Sequence, residues 1–196
     1  MQNYAAPPKE GFKEKRRYEL LNGKIYNMAG ASSNHNAIIV NIAGIFGNFL
    51  KGKKCRAFVD GVDVHLSETD ITMPDVMIVC DRDIIKKNGI YGAPDLIVEV
   101  LSPSTAEMDM GYKKDLYEKH GVKEYWIISQ AERSIQVYLL KNGVYKLDKI
   151  YQIFEDYVLE KMDEEEKAAI IMDFKTSLDG FGDLIINVEE VFENVE

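Results

Sequence analysis

Glu99 stands inside an apolar run, Leu96-Ile-Val-Glu-Val-Leu101, that reads as a strand covered on both faces. Burying a valine or leucine there gains roughly 1.5–3 kcal/mol. An unpaired carboxylate in the same place costs several kcal/mol, or becomes neutral. A domain has only about 5–15 kcal/mol of net stability. Glu99 therefore needs a cation, a basic partner or a polar cleft; a plain structural ion pair, or a strand end open to solvent, is the alternative. Asp75 opens a second apolar run, Val76-Met-Ile-Val79. If the two runs are antiparallel neighbours, the start of one lies beside the end of the other. Two carboxylates then converge, as a hard oxygen site for Mg²⁺ or Mn²⁺ requires. Asp95 shares a face with Glu99, but four strand residues separate the two by about 13 Å, too far for one ion. Asp95 reads as a strand-entry residue.

A phosphodiester-cleaving site also benefits from a lysine that orients water and offsets developing charge. Two residues beyond Glu99 on the same strand face stands Leu101. The following helix offers Lys113 and Lys114. Lys113 is four residues after Asp109, the spacing of a surface ion pair worth about 0.3–0.5 kcal/mol. It also shares a face with Leu116 and Tyr117, which would turn it towards a sheet. Lys114 points about 100° away, so Lys113 is the better candidate. Glu19, in the strand Tyr18-Glu-Leu-Leu21, could join the carboxylates from the edge or simply be exposed. His35 begins a helix and reads as a capping or packing residue. Ser102 and Ser104 read as strand-ending and helix-capping rather than nucleophilic.

The elements that must place these groups are legible in outline. Residues 18–29 form two short strands about Asn22-Gly23. Apolar positions 38, 39, 42, 45, 46 and 49 mark a helix over 34–50. Residues 56–66 read as one strand. A helix over about 105–120 ends at Gly121, a left-handed cap. Strands at 124–129 and 134–140 follow, and the first makes a parallel βαβ unit with 96–101. Residues 152–172 carry an acidic helical pattern, and 183–193 read as a short strand and a helical turn. Residues 1–17 read as an arm, and 18–196 as one domain of ordinary size.

The formal charge is −9, from 24 basic and 33 acidic residues. Bulk basicity therefore does not hold this chain to nucleic acid. The basic groups at 13–17 and 51–56 read as solvated surface. The two cysteines, Cys55 and Cys80, are isolated and lack metal-ligand spacing; they suggest a reducing compartment and no disulfide framework. No apolar leader or membrane-length run appears, so a cytoplasmic protein is expected. No G-x-S-x-G, P-loop or G-x-G-x-x-G motif occurs, which speaks against the commonest hydrolase, NTPase and dinucleotide chemistries.

Pro74-Asp75 followed by Glu99 in a strand resembles the PD-(D/E)XK nuclease superfamily. The block Ala93-Pro-Asp-Leu-Ile-Val-Glu-Val-Leu-Ser-Pro-Ser-Thr105 is more specific. With Asp109, Lys113, Leu116-Tyr117 and Gly121-Val-Lys-Glu-Tyr-Trp126, it resembles the Uma-two family of bacterial restriction endonucleases. So do Tyr18-Glu-Leu-Leu-Asn-Gly23 and Met73-Pro-Asp75. The resemblance spans roughly residues 18–140. It implies an α/β fold, a restriction-endonuclease-like mixed sheet flanked by helices, and hydrolysis of DNA with Mg²⁺ or Mn²⁺, often by a homodimer. It maps Glu19, Asp75 and Glu99 to the acidic cluster, with Asp75 and Glu99 on the metal. Leu101 departs from the E-x-K pattern; in relatives that lysine can move to the neighbouring helix, which here is Lys113. A nuclease-fold binding or assembly module without turnover is the second reading, and a hydrolase of another phosphoester the third. Fold and site are separate claims.

Overall fold

A computed structural model describes residues 17–196, so the expected arm, apart from Arg17, lies outside the described residues. The chain opens with the hairpin β1 (Tyr18–Leu21) and β2 (Lys24–Asn27), with Asn22 and Gly23 both at positive φ in the turn. Helix α1 (Ser33–Phe49) follows. Then come β3 (Arg56–Val59), β4 (Val64–His65), β5 (Ile71–Thr72), β6 (Val76–Val79), β7 (Ile85–Lys86), β8 (Gly89–Tyr91) and β9 (Leu96–Val100). Helices α2 (Ala106–Met110) and α3 (Tyr112–His120) lead to β10 (Glu124–Ser129), β11 (Ser134–Lys141) and β12 (Val144–Gln152). Short elements close the chain: α4 (Asp156–Leu159), α5 (Glu164–Ala168), β13 (Asp173–Phe174), β14 (Ile186–Asn187) and α6 (Val188–Val191).

The main sheet has the order β12-β11-β10-β9-β6-β3. Strands β9 and β10 pair in parallel across α2 and α3, as the βαβ reading expects, and the other neighbours are antiparallel. Alternation along the strands divides the core in two. Val76, Ile78, Val98, Val100, Trp126 and Ile128 face α1 and the C-terminal segment. Met77, Val79, Ile97, Tyr125 and Ile127 face the other way, against Tyr117, Val64 and Ile90. A second sheet, β2-β1-β5-β4-β8-β7, brings the first hairpin to this second face.

Helix α1 forms where its apolar spacing predicts: Ile38, Ile39, Ile42 and Phe46 are buried, and the Ser32 hydroxyl accepts the His35 N–H as the N-cap bond. Elsewhere the local outcome differs from the pattern. Residues 56–66 make two strands in different sheets, because the chain bends at Asp60-Gly61, where Gly61 has φ +96°. The helix expected over 105–120 breaks at Gly111, where a Cβ would lie 2.9 Å from the Glu107 carbonyl oxygen. Its other end matches: Gly121 caps α3 at φ +83°. The acidic stretch 152–172 holds two single-turn helices rather than one long one; Asp163 and Glu166 form a capping box at the second.

The cysteines correct a further expectation. Arg56 pairs with Val79 across β3 and β6, so Cys55 and Cys80 are the next opposed pair, and they form a disulfide. Sequence spacing alone does not show this, because it arises from strand register between residues far apart in the chain. The isolated-thiol argument for a reducing compartment falls with it.

Asp70 fastens the second sheet to the helices. Its Oδ1 accepts the Asn22 N–H at 2.8 Å and the Tyr112 hydroxyl at 2.7 Å. Its Oδ2 accepts the Ser67 and Thr69 hydroxyls at 2.8 and 2.9 Å. Burial alone would raise its pKa; the four donors outweigh it and hold the carboxyl at about 2, against an ordinary 3.8. Tyr112 is pushed up to about 12, by burial and by the Asp70 carboxylate it bonds. Because the folded pKa is depressed, the linked stability is present above the unfolded value and lost as pH falls from about 4 to about 2. Screening at this near-surface site reduces the ideal figure to about 1 kcal/mol. Asp70→Asn should lower stability near neutrality by about that amount and flatten the acid limb of a urea-denaturation pH series. An unchanged acid limb would show that these bonds carry no linked stability.

Candidate active site

The β6–β9 register builds the site. Val76 lies opposite Val98, so the next pair outward is Asp75 and Glu99, on one face. Both are buried, Glu99 with only 3% of its surface exposed. The Asp75 Oδ2 accepts the Val100 N–H at 2.7 Å and lies 3.3 Å from the His35 Nε2. The Glu99 Oε1 lies 2.7 Å from the Lys113 Nζ and accepts the Tyr117 hydroxyl at 2.8 Å. Lys113, also 3% exposed, lies 3.1 Å from the Glu19 Oε1 and 3.0 Å from the Asp109 Oδ1. Glu19 is held in turn by the Met73 N–H at 2.9 Å. These groups line a cleft of about 450 Å³ walled by the Ala29–Ser32 and Ser102–Thr105 loops.

Each carrier element explains its side chain. Strand β1 delivers Glu19 from the second sheet, because Leu20 pairs with Ile71 of β5. Helix α3 packs Leu116 and Tyr117 into the core, and Lys113, one turn earlier, enters the sheet face with them. Leu101 packs with the apolar cluster of that face, and Lys113 from α3 reaches Glu99 instead. Lys114 points elsewhere, over the Tyr138 ring at 3.9 Å. Asp95 behaves as a strand-entry residue: it accepts the Cys80 N–H and pairs with Lys123, both at 2.7 Å.

The electrostatics follow from burial and charge count. Burial pushes the Glu99 carboxyl up; Lys113 draws it back, while Asp109, Asp75 and Glu19 push it further, and the result lies well above the usual carboxylate range. Burial opposes the Lys113 ammonium, but Glu99, Glu19 and Asp109 outweigh it and keep the lysine charged. Burial likewise opposes His35, yet Asp75 raises it above its ordinary value. Four carboxylates, Glu19, Asp75, Glu99 and Asp109, thus face one lysine and one histidine.

Of the residues singled out in the sequence, Glu19, Asp75, Glu99 and Lys113 lie together. Asp109, whose spacing to Lys113 also fits a surface pair, is 2% exposed. His35, expected to cap or pack, gives the cap bond from its backbone, and its imidazole meets Asp75. Ser104, expected to cap the helix, does not; Ser102 bonds to the Ser104 and Thr105 hydroxyls at 3.1 and 3.0 Å. Tyr117, expected on the apolar face, also bonds Glu99. The available signal was Asp109 and Lys113 flanking a glycine on one helical face.

Among the described residues, no three His, Cys, Asp or Glu side chains surround one point as ligands. Asp75 and Glu99 nevertheless suit a dication that keeps several waters, since Mg²⁺ is commonly held by one or two carboxylates plus substrate oxygens. Their hard oxygens and the surplus of negative charge fit such an ion.

The family profile described as "Putative restriction endonuclease", Uma2, matches residues 2–162. This chain belongs to the Uma2 family. The uncharacterized protein slr1290 of Synechocystis sp. is 34% identical over 128 residues, 64% of this chain and 67% of that protein. A second uncharacterized Synechocystis protein, sll1609, is 30% identical over 116 residues, covering 57% of this chain and 66% of its own length. A solved structure titled as a putative nuclease belonging to DUF820, from Anabaena variabilis, superposes with a TM-score of 0.68 over 91% of this chain and 90% of that one, at 19% identity. The Uma2 chain thus has the mixed α/β, nuclease-like fold that its sequence resemblance implies. Among its described residues no helix is long and apolar enough to cross a membrane.

Proposed function

We propose that this Uma2 protein is a metal-dependent endonuclease hydrolysing DNA phosphodiester bonds, with Mg²⁺ or Mn²⁺ as cofactor. The observation that carries the proposal is the buried acidic cluster, with Asp75 and Glu99 opposed across β6 and β9 and Lys113 held 2.7 Å from Glu99. Asp75 and Glu99 would hold the ion, and Glu19 supports the cluster through Lys113. When bound, the ion supplies Lewis acidity at the phosphoryl group and lowers the pKa of bound water. Lys113 is kept charged by its neighbours, so it serves as an electrostatic group that orients the attacking water and offsets charge on the phosphate.

Supercoiled plasmid should be nicked or linearised with Mg²⁺ or Mn²⁺, and EDTA should stop the reaction. Asp75→Ala and Glu99→Ala should each fall to background while circular dichroism shows a folded chain. Retained cleavage in either variant would sink the assignment. The net charge of −9 favours a second reading, a nuclease-fold binding module; that reading predicts no cleavage by the wild type and no Mn²⁺ at the carboxylates.

A further inference from the structure

We infer that His35 is a positioning residue for Asp75, fixing which carboxylate oxygen is offered to the metal; the inference rests on the metal-dependent reading above. His35 is 8% exposed and its imidazole does no capping work, because the N-cap bond of α1 is made by the His35 backbone N–H to the Ser32 hydroxyl at 3.1 Å. Any residue but proline could supply that bond. A buried imidazole needs a partner, and its Nε2 lies 3.3 Å from the Asp75 Oδ2. The same oxygen accepts the Val100 N–H at 2.7 Å. The two contacts come from different elements, a helix side chain and a strand backbone, and meet on one oxygen. Together they fix the carboxylate plane and occupy Oδ2. Among the described residues no protein donor reaches Oδ1, which leaves it as the ligand oxygen.

Groups that orient a ligating carboxylate in this way typically change metal affinity by about 10–100-fold when removed. The geometry names the donor atom, so the substitutions can separate it from bulk. The amide nitrogen of glutamine reaches about as far as Nε2; that of asparagine falls short.

Calorimetric titration with Mn²⁺ on the full chain is the direct test. His35→Ala and His35→Asn should weaken binding about tenfold or more, while His35→Gln stays within about threefold of wild type. Thermal melts of all three should establish that each is folded. The Mn²⁺ concentration giving half-maximal plasmid cleavage should move in parallel, with kcat at saturating Mn²⁺ changing much less. His35→Ala binding Mn²⁺ as tightly as wild type would overturn the role of His35 while leaving the metal reading intact. Equal weakening by alanine, asparagine and glutamine would overturn the assignment of Nε2 as donor. No Mn²⁺ binding by the wild type would overturn the metal reading and this inference with it.

Discussion

Lys113→Met should lose plasmid cleavage by about 10²–10³-fold or more and be among the least stable single variants of this protein. Methionine keeps the length and packing of the lysine stem, so the variant isolates the charge. In the native chain the ammonium lies within 3.1 Å of Glu19, Glu99 and Asp109, all buried. Removing one partner of a buried pair commonly costs about 3–5 kcal/mol, because the other charge is left behind. Here three charges are left behind. Protonation offers the only relief, and Glu99 is the group poised for it. Burial already raises its pKa, and Lys113 is the influence that lowers it. A group with a raised folded pKa contributes stability that is full below its unfolded pKa and lost as pH rises through the folded value. Without Lys113 that window extends upward. The variant should therefore regain stability as pH falls from neutrality toward about pH 5, where wild type changes less. Urea-denaturation midpoints at several pH values would show this. A variant as stable as wild type at neutrality and still active would remove Lys113 from both roles.

The same cluster shows what could be read from the chain in advance. Glu99 betrayed itself by energetics, as a charge in a strand buried on both faces. Asp75 followed from one geometric condition, an antiparallel β6–β9 pair, which the fold satisfies. Lys113 was legible because Leu116 and Tyr117 oriented its helix. Asp109 and His35 were not, since i, i+4 spacing and a helix start each have a commoner, simpler explanation. Their burial depends on how α2, α3 and α1 converge, which is a tertiary fact. The short strand and helical turn read over 183–193 form as β14 and α6. The stretch before them was hidden for a similar reason: Phe174, Leu178 and Phe181 are buried at helical spacing, yet no helix forms there among the described residues. They belong to a winding segment whose place is set by what it covers.

That segment is held by Glu124, and Glu124→Ala should be the most damaging substitution remote from the site. Glu124 begins β10, opposite Leu96 at the start of β9, whereas Glu99 lies near the end of β9. The side chain is fully buried. Its Oε1 accepts the Trp126 indole N–H at 2.7 Å. Its Oε2 accepts the Thr176 hydroxyl at 2.9 Å, the Ser177 N–H at 2.8 Å and the Ser177 hydroxyl at 2.6 Å. Four donors thus satisfy one carboxylate and tie residues 176 and 177 to the sheet. Alanine would orphan all four and open a cavity; hydrogen bonds to a charged group are worth about 1.5–3 kcal/mol each, and they are not additive. A total loss of about 3–5 kcal/mol is expected. Glutamine can still accept at Oε2 but sets an amide N–H against the Trp126 N–H, so it should lose about 1–3 kcal/mol. Trp126 is the single tryptophan of the chain, so its fluorescence reports this contact directly during urea unfolding. Mn²⁺ affinity of the folded fraction should stay at the wild-type value, because the site is at the other end of the strands. A Glu124→Ala protein with an unchanged midpoint would mean that the C-terminal segment is held by its apolar contacts alone.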